Sequence, residues 1–310
     1  MQPLTCDTLA GVWATVLLPL QSNQAIDWIR LDDELAALIS SGVSGVYCHG
    51  TAGEFFALEE CEFDRVNLMV AQACERAGIS FQIGVSHTAA VISLARLKRA
   101  VQLKPGAVQV ILPDWFPVTD DEAIDFLNLM AAAAESVPIV LYNPSHAKRV
   151  LEPRAWGRLS EASPSLIGIK VLGGDAAWYE RMAHLAPKLA IFAAGHLLAS
   201  QLPLGAKGSY SNVACLNPRG AQRWYEMMIH DAHTAMGWES RIRRFLDRHI
   251  TPMLGLTGHS NHAADKLLAA IGNWAPIGTR VRWPYRGFDP LMAERLRPIA
   301  RRVIPELFDT

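Results

Sequence analysis

Leu166-Ile-Gly-Ile-Lys-Val171 is a short, largely apolar run with one charged residue, Lys170, near its far end. A run of this length and composition suits a β-strand buried on both faces. Comparable runs occupy residues 12–18, 45–48, 81–85, 108–112, 138–142, 190–193 and the Gly-rich 205–213. Their starts at 12, 45, 81, 108, 138, 166, 190 and 205 lie 24 to 36 residues apart until the last, shorter interval. The intervening segments read as helices. Leu31, Leu35, Leu38 and Ile39 share a helical face that stops at Gly42, and Thr119-Asp-Asp-Glu122 is a capping box opening a helix through Leu129. Pro153 sits where a first helical turn tolerates proline, and Asp175 can cap residues 176–185.

Strands alternating with helices imply parallel pairing through helical crossovers. Eight such units predict an α/β fold, a closed (β/α)8 TIM barrel over residues 1–217, with a helical elaboration over residues 218–310 packed on its outside. The competing arrangement is a doubly wound open sheet. Its dinucleotide-binding version loses its main support, because no Gly-x-Gly-x-x-Gly follows the first strand.

A chain of 310 residues, 50% of them hydrophobic, is long enough to bury a large core. Its formal charge of −1 offers no basic excess to match a phosphate backbone, so no nucleic-acid partner is expected. The five cysteines, Cys6, Cys48, Cys61, Cys74 and Cys215, are scattered without paired short spacings and read as reduced, mostly buried residues of a cytoplasmic protein. The early apolar run over residues 9–20 contains Gly11, Thr15 and Pro19 and is too short to span a bilayer. It reads as a buried strand, so neither export nor membrane anchoring is expected.

In such a barrel, chemistry resides at the C-terminal ends of the strands. Four places there carry polar groups: Gly50-Thr-Ala-Gly-Glu54, Tyr142-Asn143, Lys170 and Gly205-Ala-Lys-Gly-Ser209. An ammonium ending an apolar strand is desolvated, which lowers its pKa and supplies the neutral amine that attacks a carbonyl. Read alone, Lys170 fits better a buried stem with a solvated head at the barrel rim. The glycines flanking Thr51 and Ala52 let backbone amides approach a carboxylate, or simply make a turn before a helix. Tyr142 suits proton transfer to a Schiff-base nitrogen, or a buried aromatic with a satisfied hydroxyl.

Taken together, Gly50-Thr-Ala-Gly-Glu54, Leu141-Tyr-Asn143, Gly168-Ile-Lys170 and Gly205-Ala-Lys-Gly-Ser209, in this order and at these separations, resemble the dihydrodipicolinate synthase/N-acetylneuraminate lyase family. The likeness runs from about Leu9 to the C-terminal helices. It implies a (β/α)8 barrel, assembled as a homotetramer or homodimer, that condenses or cleaves 2-oxo acids such as pyruvate with an aldehyde. No cofactor is implied beyond the covalent Schiff base itself. By the same resemblance Lys170 is the Schiff-base lysine, Tyr142 the proton-shuttling tyrosine and Thr51 the hydroxyl relaying protons beside it. The amides of Thr51 and Ala52 would hold the substrate carboxylate, with Gly50, Gly208 and Ser209 among the substrate contacts.

Three departures from the family pattern bear on substrate. Ala52 stands where a threonine hydroxyl is common. Trp115, in Pro113-Asp-Trp-Phe-Pro117, stands at about the position of a tyrosine that reaches a neighbouring subunit's site. An indole N–H only donates, so it cannot relay protons as a phenol does. His146 is nearest to an arginine that grips the carboxylate of aspartate semialdehyde, with Lys148 and Arg149 close by; bidentate capture of a carboxylate is an arginine property. These differences argue against lysine-pathway synthase activity. Trp115, Phe116 and Phe55 fit either core packing or an apolar pocket for a larger or aromatic aldehyde, and Trp115 and His146 are carried as substrate contacts.

His259 and His262, with Asp265 nearby, read as surface residues and not as a metal site. His49 and His87 fall near strand ends on the active-site side. Besides the aldolase reading, a 2-keto-3-deoxy sugar acid dehydratase, 4-hydroxy-tetrahydrodipicolinate synthase and a non-catalytic 2-oxo acid binding or regulatory protein stay open at this point.

Overall fold

A computed structural model describes residues 1–309 of the chain. The eight strands are β1 Gly11–Thr15, β2 Gly45–Cys48, β3 Phe81–Gly84, β4 Ala107–Ile111, β5 Ile139–Tyr142, β6 Leu166–Lys170, β7 Ala190–Phe192 and β8 Ala206–Tyr210. They pair in chain order, every neighbour parallel, and β8 returns to β1 to close the barrel. The open-sheet alternative is thereby excluded: the apolar runs have no edge strand to expose.

The helices are α1 Trp28–Ser40, α2 Glu60–Ala77, α3 Ala90–Ala100, α4 Asp120–Ala134, α5 Pro153–Ala162, α6 Ala176–Leu185, α7 Leu198–Gln201, α8 Asn212–Leu216, α9 Pro218–His230, α10 Ala232–His249, α11 Thr251–Thr257, α12 Asn261–Gly272 and α13 Pro290–Val303. Local signals act as read. Thr119 and Glu122 form a reciprocal capping box, Asp175 accepts from Trp178 N, and Pro153 occupies the first turn of α5. Boundaries differ in three places: β1 takes only Gly11–Thr15 of the apolar run 9–20, β8 only Ala206–Tyr210 of the run 205–213 before α8 begins, and α4 runs on past Leu129 to Ala134, because the following alanines sustain the helix and Ala134 is buried.

Two apolar regions result. One lies between barrel and helices and takes in most of the aliphatic side chains. The other fills the barrel itself: Leu9, Trp13, Tyr47, Val140, Phe192 and Tyr210 pack together, with Leu4 closing the N-terminal end. Gly168 is small because a side chain there would meet Leu9, 2.7 Å from its Cβ position. The interior is aromatic toward the C-terminal mouth, and this sets the electrostatics of what projects there. After the barrel, α9 packs back against β1, and α12 packs on α8, bringing a late segment over the strand ends. No helix among the described residues is long and apolar enough to cross a membrane.

Candidate active site

Register brings the first residues together. β5 pairs with β6 so that Tyr142 stands opposite Lys170, and β1 with β2 so that Thr15 stands opposite Tyr47. Registered neighbours project to the same face of a sheet. The Lys170 ammonium donates to Tyr47 Oη at 3.1 Å. It lies 4.1 Å from the centre of the Tyr142 ring, 4.9 Å from that of Tyr47 and 5.2 Å from that of Tyr210.

Three aromatic rings leave little water for the charge. Desolvation pushes the Lys170 pKa down from 10.5 to about 8, against the opposing pull of the Asp265 carboxylate. At pH 7 an amine of pKa about 8 is neutral in roughly one molecule in ten, some 300-fold more than an ordinary lysine. The site therefore holds a nucleophilic nitrogen at neutral pH.

The loop after β2 supplies the hydroxyl. Two of its non-glycine residues, His49 at φ 60° and Glu54 at φ 52°, are left-handed, a conformation that costs energy and persists only where surrounding contacts enforce it. Between them Thr51 Oγ1 hydrogen-bonds Tyr142 Oη at 3.3 Å. Burial raises the Tyr142 pKa while this bond pulls it down, so the phenol is protonated at neutral pH and available as a donor. Glu54 is fully buried; its Oε1 lies 2.5 Å from Lys266 Nζ and its Oε2 accepts from Arg282 N.

Lys170, Tyr142, Thr51 and Ala52 all line one cavity of about 320 Å³. His146 lines it as well, and with Thr51, Tyr142, Pro144 and Asn261 it also lines an adjoining cavity of about 480 Å³. Gly50 lines neither; it is small because a Cβ there would fall 2.6 Å from the Tyr47 ring. Gly208 and Ser209 also stay out of both. Gly208 lies against the Gly11 backbone in the strand pairing, and Ser209 is wholly buried. From that strand it is Tyr210 that reaches the cavity. Trp115 is 75% exposed, with the Lys148 ammonium 4.8 Å from its ring centre, and lies outside both cavities of this chain.

The second cavity has an apolar wall of Phe55, Phe56, Ile111, Leu112, Pro117 and Tyr285, with Asp114, His146, Arg149 and His262 among its polar lining. The basic residues near it are already committed. Arg149 pairs with Asp120 and donates to Val118 O, and Lys148 Nζ donates to Trp115 O at 2.7 Å. His146 is the remaining group at the position expected to grip a second carboxylate.

Four site residues escaped the sequence reading. Tyr47 and Tyr210 sit inside strands and look like core until the inward face of the barrel is known. Asp265 lines the Lys170 cavity from α12, and burial raises its carboxyl pKa to about 7. His262 is corrected outright: it is 2% exposed, edge-on to Phe56 and Tyr285, and lines the second cavity. Its helix is pinned by the buried Lys266 that follows. Of the other histidines, His49 is stacked on Phe63 and held neutral by burial, its pKa pushed down to about 3, and His87 accepts from Ala89 N; neither lines a cavity.

The model of the dihydrodipicolinate synthetase family matches residues 8–253. The 4-hydroxy-tetrahydrodipicolinate synthase of Stenotrophomonas maltophilia is 28% identical over 251 residues, 77% of this chain and 81% of that one. The N-acetylneuraminate lyase of Escherichia fergusonii is 23% identical over 303 residues, 96% and 95% of the two chains. Among solved structures, YagE, a prophage protein of the dihydrodipicolinic acid synthase family from Escherichia coli, in complex with pyruvate, superposes with a TM-score of 0.82 at 21% identity, covering 95% of this chain and 98% of that one. The chain belongs to the dihydrodipicolinate synthetase family of lyases, as a divergent member.

Proposed function

We propose that this chain is a class I aldolase or lyase that condenses or cleaves a pyruvate-type 2-oxo acid with an aldehyde through a Schiff base on Lys170. One observation carries the reading: a lysine of pKa about 8, enclosed by three tyrosine rings, adjoins the hydrogen-bonded Tyr142–Thr51 pair. The neutral amine adds to the C2 carbonyl, and water leaves as the iminium forms. Tyr142, with Thr51 behind it, gives and takes the protons these steps require. The Thr51 and Ala52 amides hold the carboxylate. The iminium accepts the electron pair that moves as the C–C bond breaks or forms, and no further cofactor is needed. The pyruvate in the YagE structure is consistent with this substrate class.

The neighbouring cavity supports an apolar or aromatic aldehyde as the other reactant. Its lining sets Phe55, Phe56, Ile111, Leu112 and Tyr285 beside polar side chains, and Arg149 and Lys148 are engaged elsewhere, which disfavours a second carboxylate such as that of aspartate semialdehyde. Assembly as a homotetramer or homodimer belongs to the same proposal; Trp115 and Phe116, 75% and 77% exposed, are side chains that a second copy would cover.

The test is to incubate the protein with pyruvate and borohydride and map the modified peptide. One reduced pyruvyl group on Lys170, absent from Lys170→Ala, is the expected result. Label on another residue, or none, overturns the assignment.

A further inference from the structure

Two carboxyl groups line the Lys170 cavity, Asp247 and Asp265, and the proton path described above uses neither. Glu54 is taken up by Lys266 and Arg282, and Glu34 by the Leu17 amide at 2.6 Å. Asp247, also at the cavity from α10, is exposed. Asp265 instead projects from α12 into the cavity that Lys170, Tyr47, Tyr142 and Tyr210 line from the barrel side, with Cys215 of α8 and His196 beside them. Its partly buried carboxyl has no hydrogen bond from the protein, and the charge of Lys170 opposes its desolvation.

Resting on the Schiff-base reading, we propose that Asp265 is a catalytic base and acid at C3 of the Lys170-bound 2-oxo acid. Its carboxylate takes a C3 proton. The C–H electron pair becomes the C2=C3 double bond while the C=N pair moves onto nitrogen, so the iminium becomes a neutral enamine. When the enamine carbon attacks an aldehyde, the nitrogen lone pair restores the iminium and the aldehyde oxygen takes the proton from Asp265. The side chain ends as it began, and cleavage is the same sequence reversed.

The chemistry divides naturally between the two groups. Burial raises the Tyr142 phenol above its ordinary value, so it stays protonated at neutral pH and is not available to take a proton from carbon. A carboxyl held near 7 is matched to removing and returning a proton at that pH.

The test needs no aldehyde. Wild type, Asp265→Asn and Asp265→Glu are incubated with pyruvate in deuterated water, and the pyruvate methyl signal is followed by proton NMR while borohydride trapping at Lys170 is measured in parallel. Trapping retained in Asp265→Asn with exchange slowed by about 100-fold or more, and partly regained in Asp265→Glu, is the expected outcome. Exchange within about threefold of wild type in the trapping-competent Asn variant overturns the role. Trapping lost in that variant alone also overturns it, because Asp265 would then act in imine formation or folding. Failure of wild type to trap pyruvate instead removes the Schiff-base reading on which the role rests.

Discussion

The carboxylate of Glu54 meets the ammonium of Lys266 at 2.5 Å, and neither side chain is exposed. The contact ties the loop that carries Thr51 to the helix that carries Asp265. Lys266 Nζ also donates to Arg280 O at 2.6 Å, so the ammonium serves the carboxylate and a backbone carbonyl at once.

Removing one partner of a buried pair strands the other's charge in a dry site. Lys266→Met should therefore lower stability by about 3–5 kcal/mol in urea melts, and adding Glu54→Gln should recover part of that loss. Additive losses in the double variant would show that the pair does not act as a unit.

Lys170 carries the opposite expectation. The folded chain releases the lysine proton near pH 8, the unfolded chain near 10.5. Between these values the unfolded state holds the extra proton, so stability rises with pH, and the full penalty applies below 8. The unscreened shift is worth about 3 kcal/mol, reduced to about 1–2 kcal/mol because the ammonium borders an open cavity. Lys170→Met should be more stable than wild type by that amount at pH 7, with the gain fading as pH rises from about 8 and gone by pH ~10.5. A destabilised Met variant at pH 7 would contradict the desolvation argument.

The same group sets the pH dependence of trapping. Only the neutral amine adds to a ketone, so the initial rate of pyruvate capture should climb roughly tenfold per unit below about 8 and level off above it. A rise continuing without a break to pH ~10 would mean an ordinary, solvated lysine.

The barrel was legible in the sequence because strands buried on both faces spell themselves as apolar runs. All eight runs became strands, and Tyr142 and Lys170 came together because two predicted strands ended in register. Tyr47 and Tyr210 were harder. Their signal is alternation within a four- or five-residue strand, where Val46 and Cys48 face the helices and Tyr47 faces the interior. Asp265 and His262 were missed for a different reason. Their helix was expected outside the barrel, and the packing of α12 over the strand ends arises from contacts distant in sequence, Glu54 with Lys266 among them. A hint was present: Ala263-Ala-Asp-Lys-Leu-Leu-Ala269 sets two opposite charges in an otherwise apolar helix, which is costly unless each has a buried purpose.

Phe56 offers the sharpest probe of acceptor class. Its ring lines the second cavity, edge-on to Phe55 at 5.4 Å and to Tyr285 at 5.4 Å, and it does not line the Lys170 cavity. Truncation to alanine removes an aromatic wall worth about 1–2 kcal/mol to an aromatic ligand. Phe56→Ala should thus lower kcat/KM for benzaldehyde with pyruvate by about 5- to 30-fold, mostly through KM, while pyruvate trapping at Lys170 stays near wild type. Equal losses with aromatic and with small aldehydes would mean that the cavity shapes the site without recognising the acceptor. Faster turnover of aspartate semialdehyde than of benzaldehyde by the wild-type protein would reverse the assignment, since it requires a carboxylate grip that the committed Arg149 and Lys148 do not provide.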